Sequence, residues 1–190
     1  MLKIATHDSA TGEKGNWWSW LFIPFAKTQS KTIKEQYDAG CRDFDIRIRK
    51  VCGKWKCAHG LWVTSRTAED IIKEINNFTD KCSVMITYEG GYKDNDLFIY
   101  YVQKLKSLYT HIGYGRVAVK YGKDSTGIKV KYDYILDADE NWRDAPAVQG
   151  FLPLDGRSWH IYLPIPWLWD RIYKRPHVFN EEYYVCVDFL

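Results

Sequence analysis

The sequence predicts a single-domain α/β fold, and three features of the 190-residue chain support this prediction. Residues 44–49 alternate apolar and charged side chains, which is the pattern of a strand with two different faces. Residues 68–78 place apolar side chains at helical spacing behind two acidic residues, as expected of an amphipathic helix. No linker, internal repeat or low-complexity segment divides the chain, and its length suits one core. We therefore expect one domain over residues 1–190.

The first predicted strand covers residues 2–6 and ends beside His7 and Asp8. A helix is predicted further along, with Ser30 as its cap and Gly40 at its end, because serine favours a helix start and glycine a helix end. The first strand therefore brings two titratable side chains to one edge of the predicted sheet.

An apolar segment at residues 16–25 lies between that strand and that helix. Pro24 prevents one long helix through it, and the segment is too apolar to be an ordinary solvated loop. The sequence favours a lid packed over the end of the sheet, with an aromatic surface offered to lipid as the alternative. Its tryptophans are Trp17, Trp18 and Trp20.

The alternating strand that follows places Asp45 and Arg47 on one face and apolar residues on the other. A charge buried without a partner costs roughly several kcal/mol. If this face of the strand points into the interior of a barrel, a carboxylate and a cation held side by side there indicate a functional role. The next predicted strand is short and covers residues 55–58, with His59 directly at its end. Gly60 then allows the backbone to come close to a ligand.

The rest of the chain continues to alternate predicted helices and strands. A helix over residues 68–78 is capped by Ser65 or Thr67, since an acidic residue follows in its first turn. A helix over residues 96–109 is expected to bury Leu97, Tyr100, Tyr101, Leu105 and Leu108. Strands are predicted at residues 83–88, 116–120, 129–136, 145–152, 158–163 and 182–189, the last of them beside the first strand. A second aromatic cluster lies at residues 167–169.

Bulk composition excludes some functional classes. The net charge of +3 is too small to indicate binding to nucleic acid. We expect the protein to be a monomer. No apolar run reaches the roughly 18 residues of a membrane span. No signal peptide is seen, so we expect a cytoplasmic protein or the mature form of an exported one. Nine Trp and fourteen Tyr indicate an aromatic core, or a surface that stacks on sugar or lipid.

The five cysteines contain no C-x2-C pair of the kind that binds a metal. Cys52 and Cys57 flank a predicted hairpin turn and could be bridged in an exported protein. Reduced, buried thiols are the default expectation.

Several of these residues, in this order and spacing, match a known family. The matching pieces are His7-Asp8-Ser9, Ala39-Gly40-Cys41-Arg42, Asp45-Ile46-Arg47, His59-Gly60 and the final segment at residues 185–189. Together they resemble the X-domain of phosphatidylinositol-specific phospholipase C, in its bacterial, metal-independent branch, mainly over the first ninety residues. The resemblance implies a (β/α)8 barrel. Since such barrels need at least roughly 200 residues, we expect a compact, irregular TIM-like (β/α) barrel with some helices shortened or missing.

The resemblance also implies a reaction and its residues. His7 would be the base for the inositol 2-hydroxyl, His59 the acid for the leaving oxygen, and Arg47 the clamp on the phosphate. Histidine suits both roles because its ordinary pKa, about 6.5, lies near working pH. The implied activity is that of a phosphodiesterase or lyase that converts an inositol-type phospholipid, or a related phosphodiester, to a cyclic phosphate.

Three carboxylates are implied to support these groups. Asp8 would pair with His59, Asp188 with His7, and Asp45 would share the nucleophile's proton or orient Arg47. A purely structural role stays open for each of these residues. His7 and Asp8 could form a hydrogen-bonded turn, Asp188 could cap the end of a strand, and Asp45 with Arg47 could be a structural ion pair.

Glu89 departs from the metal-independent pattern, which tends to have lysine there, and resembles a calcium-binding glutamate of the other branch. Asp8, Asp45 and Glu89 could hold calcium through oxygen, but Arg47 would repel a metal, so we expect no cofactor. Pairing of Glu89 with Arg47, or with a sugar hydroxyl, is the preferred interpretation.

Specificity for the headgroup is less defined. Gly150 stands where the resemblance would place an acidic inositol contact, and Lys120 and Tyr88 are further candidate contacts with substrate. Expected partners are a phospholipid or small phosphodiester, with peripheral membrane contact and no nucleic acid. The alternatives are a calcium-assisted phosphodiesterase on the same barrel, or a non-catalytic barrel that binds lipid or sugar.

Overall fold

A computed structural model of the chain describes residues 4–123, 125–136, 148–149 and 185–187. This part of the chain is a mixed α/β fold built on one sheet. The strands are β1 Ile4–Thr6, β2 Cys41–Val51, β3 Lys54–His59, β4 Trp62–Thr67, β5 Ser83–Tyr88, β6 Gly113–Lys123, β7 Lys129–Leu136, β8 Val148–Gln149 and β9 Val185–Val187. The helices are α1 Ile23–Ala26, α2 Ile33–Asp38, α3 Ala68–Asn76 and α4 Asn95–Leu108, with 3-10 helices at Ser9–Gly12, Ser19–Phe22 and Tyr92–Asp94.

The main path of the sheet has the strand order β7-β6-β5-β2-β1-β9-β8. Strands β6, β5, β2, β1, β9 and β8 are parallel, and β7 is antiparallel to β6. Strands β3 and β4 extend β2 as antiparallel ribbons. The prediction that the last strand lies beside the first is confirmed, since β9 pairs with β1. Within the described residues the sheet is open between β7 and β8, so no closed barrel is seen there.

One face of the sheet packs against helices and forms the core. In β2 the buried apolar residues are Phe44, Ile46 and Ile48, as the alternating pattern predicts. They belong to one cluster with the apolar residues of β5, β6, α3 and α4. Burying such a side chain contributes about 1.5–3 kcal/mol, so this face supplies much of the stability of the fold.

Helix α3 is the element that the sequence predicts most completely. Thr67 caps it in a capping box with Asp70, each side chain accepting a hydrogen bond from the backbone N–H of the other residue. Its predicted stripe of Ile71, Ile72 and Ile75 is buried. Local capping and helical periodicity therefore agree with the tertiary packing.

The predicted buried face of α4 is wrong in part. Tyr101 and Leu105 are buried, but Leu97, Tyr100 and Leu108 are exposed. Phe98 and Val102 take their place, which rotates the buried face by roughly 70°, at the 100° step of a helix. The cause is the stacking of Phe98 on Tyr88, with ring centroids 5.0 Å apart, which helical spacing alone does not reveal.

The predicted cap of α2 is also wrong. Thr32, and not Ser30, caps this helix, because Glu35 stands three residues after Thr32 and completes a capping box. Gly40 follows the helix with a φ of 101°, a left-handed conformation that glycine adopts without strain. The helix end therefore lies where it was predicted.

Four cysteines, Cys41, Cys52, Cys57 and Cys82, are free thiols. Cys57 is buried and Cys52 is exposed, and the two are not bridged. Cys41 and Cys82 are buried, as the default expectation has it. Among the described helices, none combines the length and the apolar character that crossing a membrane requires.

Candidate active site

The polar face of the sheet carries a cluster of charged side chains at the carboxyl end of its parallel strands. His7 and Asp8 follow β1, Glu89 follows β5, and His59 ends β3. Asp45 and Arg47 lie in β2, and Lys120 lies in β6. The carboxyl ends of neighbouring parallel strands meet at one edge of a sheet, so residues far apart in sequence come together here.

Arg47 is the centre of this cluster. Its Nη2 lies 2.7 Å from Nε2 of His7 and 3.1 Å from Oδ2 of Asp45. Its Nη1 lies 3.3 Å from Oε1 of Glu89, and its Nε is paired with Oδ1 of Asp8. The side chain is 17% exposed. One guanidinium therefore contacts three carboxylates and an imidazole.

The carboxylates keep this guanidinium charged. Burial by itself would lower the pKa of Arg47, but the negative charges of Asp45, Asp8 and Glu89 outweigh it and raise the pKa well above its ordinary value. A buried cation with three anionic neighbours is a permanent positive centre. Such a centre suits an anionic substrate group.

His7 has its protonation pattern set by Arg47. A guanidinium has only donors, so the 2.7 Å contact assigns an acceptor role to Nε2 and the proton of neutral His7 to Nδ1, while the same Nε2 lies 3.4 Å from Oδ2 of Asp8 and would donate to it when the ring is protonated. The main-chain carbonyl of His7 accepts hydrogen bonds from Thr28 Oγ1 at 2.8 Å and from Gln29 Nε2 at 3.1 Å. These buried polar residues fix the backbone that carries the imidazole.

His59 has the same tautomer, set by acceptors at Nδ1 instead of a donor at Nε2. Its Nδ1 lies 2.8 Å from the carbonyl oxygen of Ala26 and 3.1 Å from Oδ2 of Asp8. Since both partners are acceptors, Nδ1 carries the proton and Nε2 is the atom left for a substrate. The rings of His7 and His59 have centroids 6.2 Å apart and planes at 70°.

Asp8 is held in an unusual conformation. Its φ of 45° and ψ of 47° lie in the left-handed region, which costs a non-glycine residue roughly 1–2 kcal/mol. Its backbone N–H lies 3.3 Å from Oδ2 of Asp45, and its carboxylate lies at ion-pair distance from His7, His59 and Arg47. Backbone strain that the surrounding contacts maintain is typical of functional sites.

Glu89 is a buried acidic group that faces two cations here, Arg47 and Lys120. It lies near Lys120, whose Nζ is 3.4 Å from Oε1, and it accepts the N–H of Gly60 at 3.0 Å. Burial would raise the pKa of Glu89, but His59, Arg47 and Lys120, together with the Gly60 N–H, lower it below its ordinary value. Glu89 is therefore ionised at neutral pH, and the predicted pairing with Arg47 is observed.

Most of the predicted site residues therefore lie together, with two exceptions. Tyr88 is 1% exposed and packs in the core, where its hydroxyl lies 3.4 Å from Asp94, and burial first of all raises its pKa to about 12. It is not placed to contact a substrate of the charged cluster. Asp188, the predicted partner of His7, lies outside the described residues, as do Gly150 and the aromatic cluster at 167–169.

The apolar segment before α2 is not packed as a lid. Trp17 is 84% exposed and Trp20 is 64% exposed, and Trp18 is half-buried with its ring edge-on to Trp17. The favoured interpretation of a packed lid is therefore wrong for Trp17 and Trp20. Ala26 directly follows the segment and its carbonyl contacts His59, so the segment leads to the charged cluster. Its other exposed apolar residues are Leu21, Ile23 and Phe25.

Sequence reasoning missed three contributors to the site, Ala26, Thr28 and Gln29, and it named Gly60 without the carboxylate that its N–H binds. The Ala26 carbonyl and the Gly60 N–H are backbone groups, and no residue type signals which backbone group will bind a side chain. Thr28 and Gln29 give a weak signal, since two polar residues directly after an apolar segment are candidates for buried hydrogen bonding.

A metal fits this cluster poorly. One donor atom each from His7, Asp8 and Asp45 lies within 4.8 Å of the others, and calcium takes six to eight oxygen ligands, typically. Both carboxylates are, however, already paired with the guanidinium of Arg47. A divalent ion at the same place would meet that fixed positive charge.

Comparisons with known proteins give similarities at the level of structure. No protein-family model and no curated protein matches the chain. It is similar to the phosphatidylinositol-specific phospholipase C from Listeria monocytogenes, with 18% identity and a TM-score of 0.46, over 70% of this chain and 56% of that one. It is also similar to a double mutant of the enzyme from Staphylococcus aureus, with 17% identity and a TM-score of 0.45, over 72% and 53% of the two chains. The chain spans about half the length of these structures, which belong to the family that the sequence motifs resemble.

Proposed function

We propose that this chain is a phosphodiesterase of the phosphatidylinositol-specific phospholipase C type, built on a compact, irregular (β/α) barrel. One observation carries the proposal: two imidazoles, with ring centroids 6.2 Å apart, lie in one cluster with the guanidinium of Arg47, and the contacts of each leave Nε2 as the atom for proton transfer. General acid–base chemistry on a phosphate needs a base, an acid and a positive centre. His7, His59 and Arg47 supply these three.

The reaction is an intramolecular transfer. A phosphate oxygen takes the place of His7 on Nη2 of Arg47, which frees Nε2 of His7. His7 accepts the proton of the attacking hydroxyl through Nε2 while the hydroxyl oxygen bonds to phosphorus. The bond from phosphorus to the leaving oxygen breaks, and that oxygen takes a proton from Nε2 of protonated His59. The products are a cyclic phosphate and an alcohol.

Two carboxylates, Asp8 and Asp45, act through these groups. Asp8 contacts His59 at Nδ1, where it stabilises the imidazolium that donates the proton. Asp45 accepts from Nε and Nη2 of Arg47, which orients the guanidinium. The expected substrate is an inositol-type phospholipid or a related phosphodiester.

The test is phosphorus NMR of the products from a mixed phospholipid panel, with and without a chelator. Cyclic phosphate formed from an inositol lipid by the wild type, and its loss in His7→Ala and in His59→Ala, is the expected result. His111→Ala is the matched control, since His111 is exposed and outside the cluster. Wild-type turnover in either site variant would refute the assignment of acid and base.

Peripheral contact with a lipid surface is part of the proposal. The exposed Trp17 and Trp20 lie on the segment directly before Ala26, whose carbonyl contacts His59, and tryptophan suits the interface of a membrane. In Trp17→Ala combined with Trp20→Ala, binding to vesicles of phosphatidylinositol and phosphatidylcholine should weaken more than hydrolysis of a soluble inositol phosphodiester. Tyr100→Ala, on the outer face of α4, is the control. Equal losses of binding and soluble hydrolysis would contradict a membrane role.

Calcium-assisted hydrolysis is the second candidate, because three donor atoms of His7, Asp8 and Asp45 lie close together. The same panel separates the two mechanisms. Activity that survives the chelator supports the metal-independent route, and activity lost with the chelator and restored by calcium supports the alternative. Lipid binding without any product would support a non-catalytic barrel.

A further inference from the structure

The side chain of Glu89 joins three strand ends of the site. Its Oε1 accepts from Nη1 of Arg47 at 3.3 Å and from Nζ of Lys120 at 3.4 Å, while its Oε2 accepts from the N–H of Gly60 at 3.0 Å. The side chain is 2% exposed. Both carboxylate oxygens are therefore engaged by the protein itself, which leaves little access for a substrate hydroxyl.

The contact with Gly60 reaches the backbone of His59. The N–H of Gly60 belongs to the peptide unit that directly follows His59, and Gly60 has a φ of 57°, which turns the chain sharply between β3 and β4. Fixing this peptide unit fixes the end of the strand from which the His59 imidazole projects. The same carboxylate holds Arg47, which contacts His7.

We propose that Glu89 is a positioning residue that keeps the general acid His59 and the guanidinium of Arg47 in one fixed arrangement. This inference rests on the proposed function and assigns Glu89 a part in the chemical step, without contact with the substrate. A negative charge beside the phosphate site opposes binding of an anionic substrate. Glu89 therefore does not contribute to substrate affinity. Its removal should lower kcat without raising KM.

The first test is steady-state kinetics of Glu89→Gln on a soluble inositol phosphodiester. Loss of the charge and of the grip on Arg47 and Lys120 should lower kcat by on the order of tenfold or more, with KM unchanged or lower. A raised KM with an unchanged kcat would identify Glu89 as a substrate contact and overturn the proposal. Unchanged kcat and KM would overturn it as well.

Glu13→Gln is the matched control. Glu13 is also a buried carboxylate that accepts from a backbone N–H, that of Ile33 at 2.9 Å, and from an arginine, Arg66 at 3.1 Å, but it lies outside the charged cluster. We expect its kcat and KM to stay at wild-type values. An equal loss of kcat in this variant would mean that any buried carboxylate has the same effect, which overturns a specific role for Glu89.

Glu89→Asp covers the case in which Glu89→Gln does not fold. It keeps the charge, but its side chain is one methylene shorter and cannot hold the Gly60 N–H and both cations at once. We expect kcat to fall on the order of tenfold, again without a rise in KM. Wild-type kcat in Glu89→Asp would overturn the proposal.

A measurement without turnover separates this inference from the proposed function. In substrate-free protein, the NMR signals of the His59 imidazole should shift in Glu89→Gln and stay in place in Glu13→Gln. If the wild type cleaves no phosphodiester, the proposed function fails, yet this shift still tests whether Glu89 positions His59. Unmoved His59 signals in Glu89→Gln would overturn the positioning role whatever the activity.

Discussion

The two faces of strand β2 differ in almost every physical respect. On one face Phe44, Ile46 and Ile48 are fully buried in the hydrophobic core. On the other, the buried Asp45 and the half-buried Arg47 lie within a network of charges. The residues alternate along one strand, so the backbone treats both faces alike and the side chains alone make the difference.

The comparison shows where stability and chemistry come from. Apolar burial is non-directional and roughly proportional to area, so the core face tolerates many arrangements of similar volume. Buried charges stabilise little or nothing after desolvation is counted, and removing one partner leaves the others uncompensated. The polar face is therefore a part of the molecule that stability alone does not explain, and its residues are the ones to test for function.

The largest expected effect is that of removing the central cation from the polar face. Arg47→Met leaves Asp8, Asp45 and Glu89 buried without it, and we expect a loss of about 3–5 kcal/mol in the free energy of unfolding at pH 7. Urea denaturation measures this. Arg42→Met is the control, because Arg42 pairs with exposed Asp80 and should cost about 1 kcal/mol or less.

The pH dependence of this loss identifies its cause. In the wild type the pKa of Glu89 lies below its ordinary value of 4.5, so this carboxylate contributes stability above that pH and the contribution is lost as the pH falls. In Arg47→Met the same carboxylate is opposed by burial and protonates more readily. The destabilisation should therefore be smaller at pH 4.5 than at pH 7, and an equal loss at both would mean that packing, not charge, is responsible.

The apolar face is tested by Ile46→Ala. Ile46 is fully buried in the core, so the loss of its side chain should lower the free energy of unfolding by about 2–4 kcal/mol. Activity per folded molecule should stay near wild type, in contrast to changes on the polar face. Leu97→Ala, on the exposed side of α4, should change stability by about 0.5 kcal/mol or less. A large loss of stability in Leu97→Ala would instead support the buried face that the sequence predicts for α4.

How far the sequence predicts this molecule depends on the range of the interaction. Local signals work: the capping box at Thr67, the stripe of α3 and the alternation in β2 follow from neighbouring residues. The packing of Phe98 on Tyr88 rotates α4 and joins elements distant in sequence, so periodicity does not reveal it.

The site shows the same limit. Side chains that carry the chemistry, such as His7, Arg47 and His59, can be named from residue type and motif. Their partners Ala26 and Gly60 act through backbone groups, which every residue possesses and which the sequence therefore does not mark. The sequence favours a packed lid over an exposed aromatic surface, and the exposure of Trp17 goes against that preference, because apolar composition by itself does not tell the two apart.

A smaller effect is expected at the point where the two faces meet. Gly90 follows Glu89, and a Cβ at Gly90 would lie 1.9 Å from the hydroxyl oxygen of Tyr88 and 2.0 Å from its ring carbon. Because Tyr88 is stacked in the core, Gly90→Ala should cost about 1–3 kcal/mol of stability. Gly91→Ala is the matched control, since a Cβ there meets no atom within 4 Å. Equal stability of the two variants would show that the Tyr88 ring moves freely, contrary to a packed core.

The smallest perturbation is chemical labelling of the thiols, which measures how accessible the buried cysteines are to a reagent away from the polar face. Burial raises the pKa of Cys41 and of Cys82 to about 12 and also raises that of Cys57, so few thiolates form at pH 8. Cys52 is exposed at a turn. Iodoacetamide followed by peptide mass spectrometry should modify Cys52 first, with Cys41, Cys57 and Cys82 on the order of a hundredfold slower until urea is added. Rapid native labelling of Cys57 would mean that the β2–β3 ribbon opens readily, and the strand that positions His59 would then be far less rigid than its contacts indicate.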